Sequence, residues 1–184
     1  MADPARAAIL TGPRGSGKTT LCLNLSTGRP YAGRQYSGRT YAGVACPAIY
    51  DTEGRKLGFA CKCLATGITS DLGRTDRDLG GPRIGKYSLS ADGIRGALSC
   101  LEVSLSERAV VTVVDEIGPL ELRRGDGLSP LLPKLHDAGD LLLVVRDELI
   151  HALAAYIPEH FRRIFTLSVD NRTQLAAEIA DFFG

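Results

Sequence analysis

The sequence predicts an α/β fold built on a mainly parallel sheet with helices on both faces, and three observations carry that expectation. Short apolar runs alternate with amphipathic segments along the chain, as strands joined by crossover helices would. The run 110–114 is β-branched throughout, which suits a strand covered on both faces. Ala7–Thr11 is a strand-sized apolar run that passes straight into a glycine-rich turn and then a helical pattern.

A length of 184 residues favours one domain, read as 1–184. Hydrophobic residues make up 44% and charged residues 23%, a balance that fits a globular chain and excludes a disordered one. Lys plus Arg is 22 against 21 acids, a net charge of +1, so no global attraction to nucleic acid or anionic membrane is expected. No run approaches the ~18 apolar residues that cross a bilayer. The opening MADPARAAILTGP lacks the basic start and apolar core of a signal peptide. The five cysteines are odd in number and irregularly spaced, which predicts reduced thiols and a cytoplasmic protein.

Taken in order, Ala7–Thr11 is the first strand. A helix follows over about 17–26, with Leu21 and Leu25 one turn apart on its buried face. Runs 43–50 and 56–64 flank Asp51-Thr-Glu-Gly-Arg55 and predict a β-hairpin insertion over 43–64. Residues 66–82 are rich in Gly, Asp and Arg and read as loop. A strand at 83–89 leads to a helix capped by Asp92, with Ile94, Ala97, Leu98, Leu101 and Leu105 at helical spacing. After the strand at 110–114, Ser129 and Pro130 predict the start of a helix ending at Gly139. Leu141–Val145 is a buried strand, 148–157 a helix stopped by Pro158, 163–169 a strand, and a last helix carries Leu175, Ile179 and Phe182.

One segment has its own pattern. Arg29-Pro-Tyr-Ala-Gly, Arg34-Gln-Tyr-Ser-Gly and Arg39-Thr-Tyr-Ala-Gly repeat R-x-Y-[A/S]-G within 28–43. A period of five fits neither helix nor strand, so a loop is expected. In a parallel α/β layout it lies at the end of the sheet away from the glycine-rich turn.

That turn carries the chemistry. Gly12-Pro13-Arg14-Gly15-Ser16-Gly17-Lys18-Thr19 fits G-x-x-x-x-G-K-[ST], with Thr20 next on the helix. Backbone N–H groups must converge on a polyphosphate at a helix N-terminus, and side chains at Gly12, Gly15 and Gly17 would block the approach. Lys18 places a compact charge on the β- and γ-phosphates, and the Thr19 hydroxyl ligates Mg2+. The pattern predicts a P-loop nucleoside triphosphatase that binds NTP across Gly12 to Thr20.

Asp115 and Glu116 end the strand that begins at Val110. Ligands in open α/β sheets sit beyond the carboxyl ends of strands, which puts both carboxylates at the site. Asp115 is expected to hold the Mg2+. Glu116 suits the base that takes the proton of an attacking water, a role worth ~10²–10⁴-fold. The pair also implies that one strand separates the phosphate-loop strand from the acidic one, by analogy with P-loop proteins that use a glutamate base.

Asp115-Glu-Ile-Gly-Pro-Leu-Glu-Leu122 resembles the D-E-I-G-x-[ML]-E-L signature of the THEP-type nucleoside triphosphatases, a family that includes the cancer-related nucleoside triphosphatase. Gly54-Arg-Lys-Leu-Gly-Phe59, Arg83-Ile-Gly-Lys-Tyr87 and Asp170-Asn-Arg172 are similar to further family stretches, in the same order. The resemblance implies a RecA-like sheet and magnesium-dependent hydrolysis of several NTPs to NDPs. It also implies a role for Arg172 near the base or ribose, set against a solvated arginine in a first helical turn. Glu121 matches as well, or is simply placed by a helix N-terminus. Residues 43–50 depart from the family pattern: its acid and arginine are missing and Pro47 intervenes, which points to a sheet edge or a bulge.

Weaker signals have two readings each. Cys46, Cys61 and Cys63 form either a thiolate metal site or small buried hydrophobes. His136, His151 and His160 are scattered over helical segments and read as structural or exposed. Arg146, just past a buried strand, is a γ-phosphate sensor or a surface arginine. Arg29, Arg34 and Arg39 with their tyrosines offer RNA or another acidic partner a contact, or form a solvated linker. Two other functions compete with hydrolysis: a P-loop nucleotide or small-molecule kinase, and a nucleotide-gated binding module.

Overall fold

Alternation within the apolar runs decides how the sheet is covered. In β1 (Ala7–Thr11), Ala7 and Ile9 join one core while Ala8 and Leu10 join the other. In β9 (Leu141–Val145), Leu141, Leu143 and Val145 face the first core, and Leu142 and Val144 the second. A strand buried this way needs cover on both sides. The first core is closed by α2 (Ala91–Ser106), a 3-10 helix at Ser129–Asp137 and α4 (Ile150–Ala154). α1 (Lys18–Thr27) and α5 (Arg172–Phe183) close the second. The computed structural model describes residues 5–28 and 39–184, so Arg29 and Arg34, with the first two copies of the repeat, lie outside the described residues.

The remaining strands are β2 (Thr40–Ala45), β3 (Ala48–Tyr50), β4 (Lys56–Cys63), β5 (Thr69–Arg74), β6 (Gly80–Ile84), β7 (Tyr87–Ser90), β8 (Val110–Ile117) and β10 (Arg162–Thr166). They lie in one sheet in the order β10-β1-β9-β8-β2-β4-β5-β7-β6, with β3 paired to β4. The first five of that order run parallel; the others extend the sheet as an antiparallel meander. β9 thus separates β1 from β8, the order expected from the acidic pair. No helix of the described residues is long and apolar enough to cross a membrane.

Several expectations need correction. The run 43–50 is not one hairpin strand. It breaks at Cys46-Pro47, so β2 joins the parallel sheet beside β8 while only β3 pairs with β4 at the margin. Pro47 has no N–H to donate and sits where the ladder parts. The third repeat copy is strand rather than loop: Tyr41 and Ala42 are buried in β2, and Arg39 leads into it. Residues 66–82 contain β5 and part of β6, held by Arg74 on Asp76 and Arg83 on Asp78 rather than by an apolar pattern. The 83–89 run is two strands joined by a turn at Gly85 and Lys86.

Ser90, not Asp92, caps α2: its hydroxyl accepts the Gly93 N–H at 2.9 Å. Asp92 sits in the first turn, where a carboxylate also meets the helix dipole. Ser129 caps nothing, and Pro133 inside the segment removes a helical donor, which suits the 3-10 winding seen there. The thiols are not all reduced. Cys63 and Cys100 form a disulfide, because α2 packs across β4 and sets Cys100 over the end of that strand. Spacing along the chain gives no sign of it.

Candidate active site

β1 ends at Thr11 and the chain turns sharply at Gly12, whose φ is 134°. A Cβ there would stand 2.2 Å from the Leu167 carbonyl oxygen, so the loop can lie on the chain after β10 only with glycine at this position. Gly17, at φ 101°, begins α1 with no side chain capping its first turn. That helix end presents its N–H groups and the positive end of its dipole to the loop. Lys18 folds back over the loop: Nζ donates to Gly12 O at 2.6 Å and to Pro13 O at 3.0 Å. Ser16 is buried and its hydroxyl has no protein partner among the described residues. Pro13, Arg14, Gly15 and Thr20 are exposed around this cradle.

Asp115 lies opposite, at the end of β8, and is 1% exposed. The Cys46 N–H donates to its Oδ2 at 3.0 Å, so the break between β2 and β3 supplies a donor to the acidic strand. Burial is the main reason its carboxyl is pushed up from 3.8 to about 6. The Cys46 N–H and the Thr19 hydroxyl act against that rise, Glu116 adds to it and Lys18 lowers it.

Between pH 3.8 and about 6 the native state keeps a proton that the unfolded chain has released, so stability falls as pH rises through that window. Asp115→Asn should therefore stabilise the magnesium-free protein near neutral pH, by up to ~3 kcal/mol, and change little near pH ~4. Urea unfolding at the two pH values checks this; an equal difference at both would mean that Asp115 carries no buried charge.

Glu116, next in the chain after a cis peptide, points a different way. Its Oε1 accepts from Arg146 Nε at 2.7 Å, with the two side chains 34% and 32% exposed. Arg146 follows β9 directly, and its neighbour Asp147 is gripped by the Thr11 hydroxyl at the end of β1. Sequence reasoning singled out both Glu116 and Arg146 but not their pairing. At the start of α5, Arg172 Nε donates to Ser16 O at 2.7 Å and lies against Gly17. Arg172 braces the phosphate loop.

Comparison with known proteins fits this geometry. The sequence profile of the family described as NTPase matches residues 7–180. The chain is 30% identical over 187 residues to the nucleoside-triphosphatase THEP1 of Thermofilum pendens, covering 96% of each. The chain belongs to the THEP1-type NTPase family. It is 29% identical over 175 residues to the nucleoside-triphosphatase THEP1 of Methanopyrus kandleri, covering 94% of this chain and 92% of that one. The crystal structure of THEP1 from Aquifex aeolicus has the same fold: the TM-score is 0.68 at 21% identity, over 94% of this chain and 96% of that one.

Within this THEP1-type chain, Glu121 lies away from the loop. It accepts the Gly118 N–H at 2.9 Å and the Leu128 N–H at 3.3 Å, so it fastens α3 (Pro119–Arg124) and the segment after it. Burial outweighs those bonds and pushes its carboxyl up. The three-thiol metal site does not form, since Cys63 is bound to Cys100. Cys46 and Cys61 remain as free thiols, hydrogen-bonded to each other, and no group of three or more His, Cys, Asp or Glu side chains among the described residues is arranged to hold a metal ion. Arg39 is committed as well: it pairs with the buried Asp140 at 2.8 Å and donates to Phe183 O at 3.4 Å. It serves the fold rather than an outside partner.

Proposed function

We propose that this chain hydrolyses nucleoside 5′-triphosphates to the diphosphate and phosphate, using Mg2+ and accepting several bases. The observation that carries the reading is the buried Asp115 carboxylate set against Thr19 at the mouth of the phosphate loop, with Glu116 beside it on the same strand end. A carboxylate lifted by burial and facing a hydroxyl is an oxygen donor set suited to a hard cation, and Mg2+ commonly takes one or two carboxylates plus substrate phosphates. Thr19 and Asp115 would hold it, and when bound it neutralises charge on the β- and γ-phosphates.

The chain's own groups do the rest. N–H groups of Gly12 to Thr20 hold the phosphates at the start of α1, and Lys18 leaves the Gly12 and Pro13 carbonyls for the β/γ-phosphate oxygens. Arg172 keeps the Ser16–Gly17 corner in place. Glu116 accepts the proton of the attacking water. These groups all address phosphate or metal, which supports broad base tolerance.

Phosphate release from ATP, GTP, CTP and UTP, with and without Mg2+ and candidate acceptors, tests the proposal. Free phosphate from each, dependent on Mg2+, is expected. Transfer of the γ-phosphoryl to an acceptor in place of water would make the chain a kinase.

A further inference from the structure

Two cations at the site rest on protein acceptors. Lys18 sits on two loop carbonyls and Arg146 on Glu116, the residue proposed as base. While Oε1 of Glu116 accepts the Arg146 N–H, that oxygen is not open to an attacking water. The arginine therefore competes with the water for that oxygen until something draws it away.

Arg146 is placed so that a ligand can do this. β9 lies between β1 and β8, so its C-terminal end stands between the phosphate loop and the acidic pair. The backbone there is fixed from both sides: Val145 is fully buried, the Leu149 N–H donates to Arg146 O at 2.9 Å, and Asp147 is held by Thr11. The side chain is less constrained. Among the described residues its guanidinium has one hydrogen bond, through Nε, and it is about one-third exposed. A guanidinium has five N–H donors, which leaves the Nη groups for an incoming anion. Phosphate oxygens match that fork in two-point fashion and carry more charge than one carboxylate.

The geometry points to Arg146 as a γ-phosphate-operated latch on Glu116. Without nucleotide, or with NDP, Arg146 stays on Glu116. The γ-phosphate of an NTP draws the guanidinium away, and Glu116 is released as the water is positioned. Arg146 then touches the phosphoryl group being transferred, so the same exchange favours NTP over NDP and readies the base. Thr11 and Asp147 are positioning residues, since they act through the Arg146 backbone. The inference rests on the proposed reading of Glu116 as base.

The test uses wild type, Arg146→Gln, Arg146→Lys, Glu116→Gln and the Arg146→Gln/Glu116→Gln double variant, with calorimetric binding of Mg-NDP and a Mg-β,γ-imido triphosphate. Arg146→Gln should lower the ratio of triphosphate to diphosphate affinity at least about tenfold while NDP affinity holds, as loss of a charge-assisted phosphate contact requires. Lysine keeps the charge without the fork and should fall between, which supplies a second variant if glutamine disturbs folding. Glu116→Gln removes the competing negative charge, so triphosphate should bind roughly two- to fivefold more tightly, the worth of an ion pair about one-third exposed. That gain should vanish in the double variant. An unchanged affinity ratio in both Arg146 variants, or a Glu116→Gln gain that persists without Arg146, overturns the latch. Turnover of Glu116→Gln separately reads the base assignment, so the two ideas fail on different measurements.

Discussion

Glu116→Gln should lower turnover by ~10²–10⁴-fold while triphosphate stays bound. The amide keeps the size of the side chain and can still orient a water, but it cannot take a proton at neutral pH. Among the described residues Glu116 makes no hydrogen bond to the phosphate loop; its partner is Arg146, so the loss should fall on the chemical step and not on binding. The variant should leave gel filtration with intact magnesium–triphosphate bound, and single-turnover phosphate formation should slow by the same factor. Turnover near the wild-type rate would remove Glu116 as base. Loss of binding together with turnover would make it a metal ligand, and the division of labour with Asp115 would have to be redrawn.

Lys18→Ala removes the one ammonium in the cradle, and NTP affinity should fall ~30-fold or more, from the ~2–5 kcal/mol that losing one partner of a desolvated charge pair costs. In the free protein the same side chain ties Gly12 O and Pro13 O together, so a stability loss of ~1–3 kcal/mol should accompany the binding loss. The two effects separate in one pair of measurements, calorimetry with Mg-NTP and urea unfolding without it. Undiminished affinity in a folded variant would count decisively against the phosphate-loop assignment.

Much of the arrangement is legible in the residues because local rules govern it. A G-x-x-x-x-G-K-T run after Ala7–Thr11 and an acidic pair after a β-branched strand declare both halves of the site, since each needs only its own strand and turn. Residues 69–74 carry a weaker strand signal. β5 and β6 extend the sheet beyond the double-sided core, so much of their surface faces water. Ion pairs such as Arg74 with Asp76 stand where apolar alternation would have marked a strand. Contacts that depend on which strands become neighbours leave no local trace. Arg146 meets Glu116 only because β9 inserts beside β8, and Cys46 donates to Asp115 only because β2 parts at Pro47. Arg39, in a repeat that looks like a partner-binding loop, spends its charge on Asp140 at the far pole of the sheet.

The position of β1 has a consequence for how the molecule is made. Ala7 sits between Leu141 on one side and Arg162 on the other. As the chain leaves the ribosome, the strand that carries the phosphate loop emerges well before either neighbour, β9 or β10, has been synthesised. Its pairing closes the longest loops in the fold, which are the slowest contacts to form, and until then an apolar strand with both edges open is free to pair wrongly. A nascent chain halted before β10 holds the whole phosphate-binding motif yet lacks the Leu167 carbonyl against which Gly12 turns and the Arg172 that braces Ser16. Nucleotide binding should therefore be a late event in synthesis, and a ribosome-release series read by Mg-NTP capture should show it arising only after α5 is free.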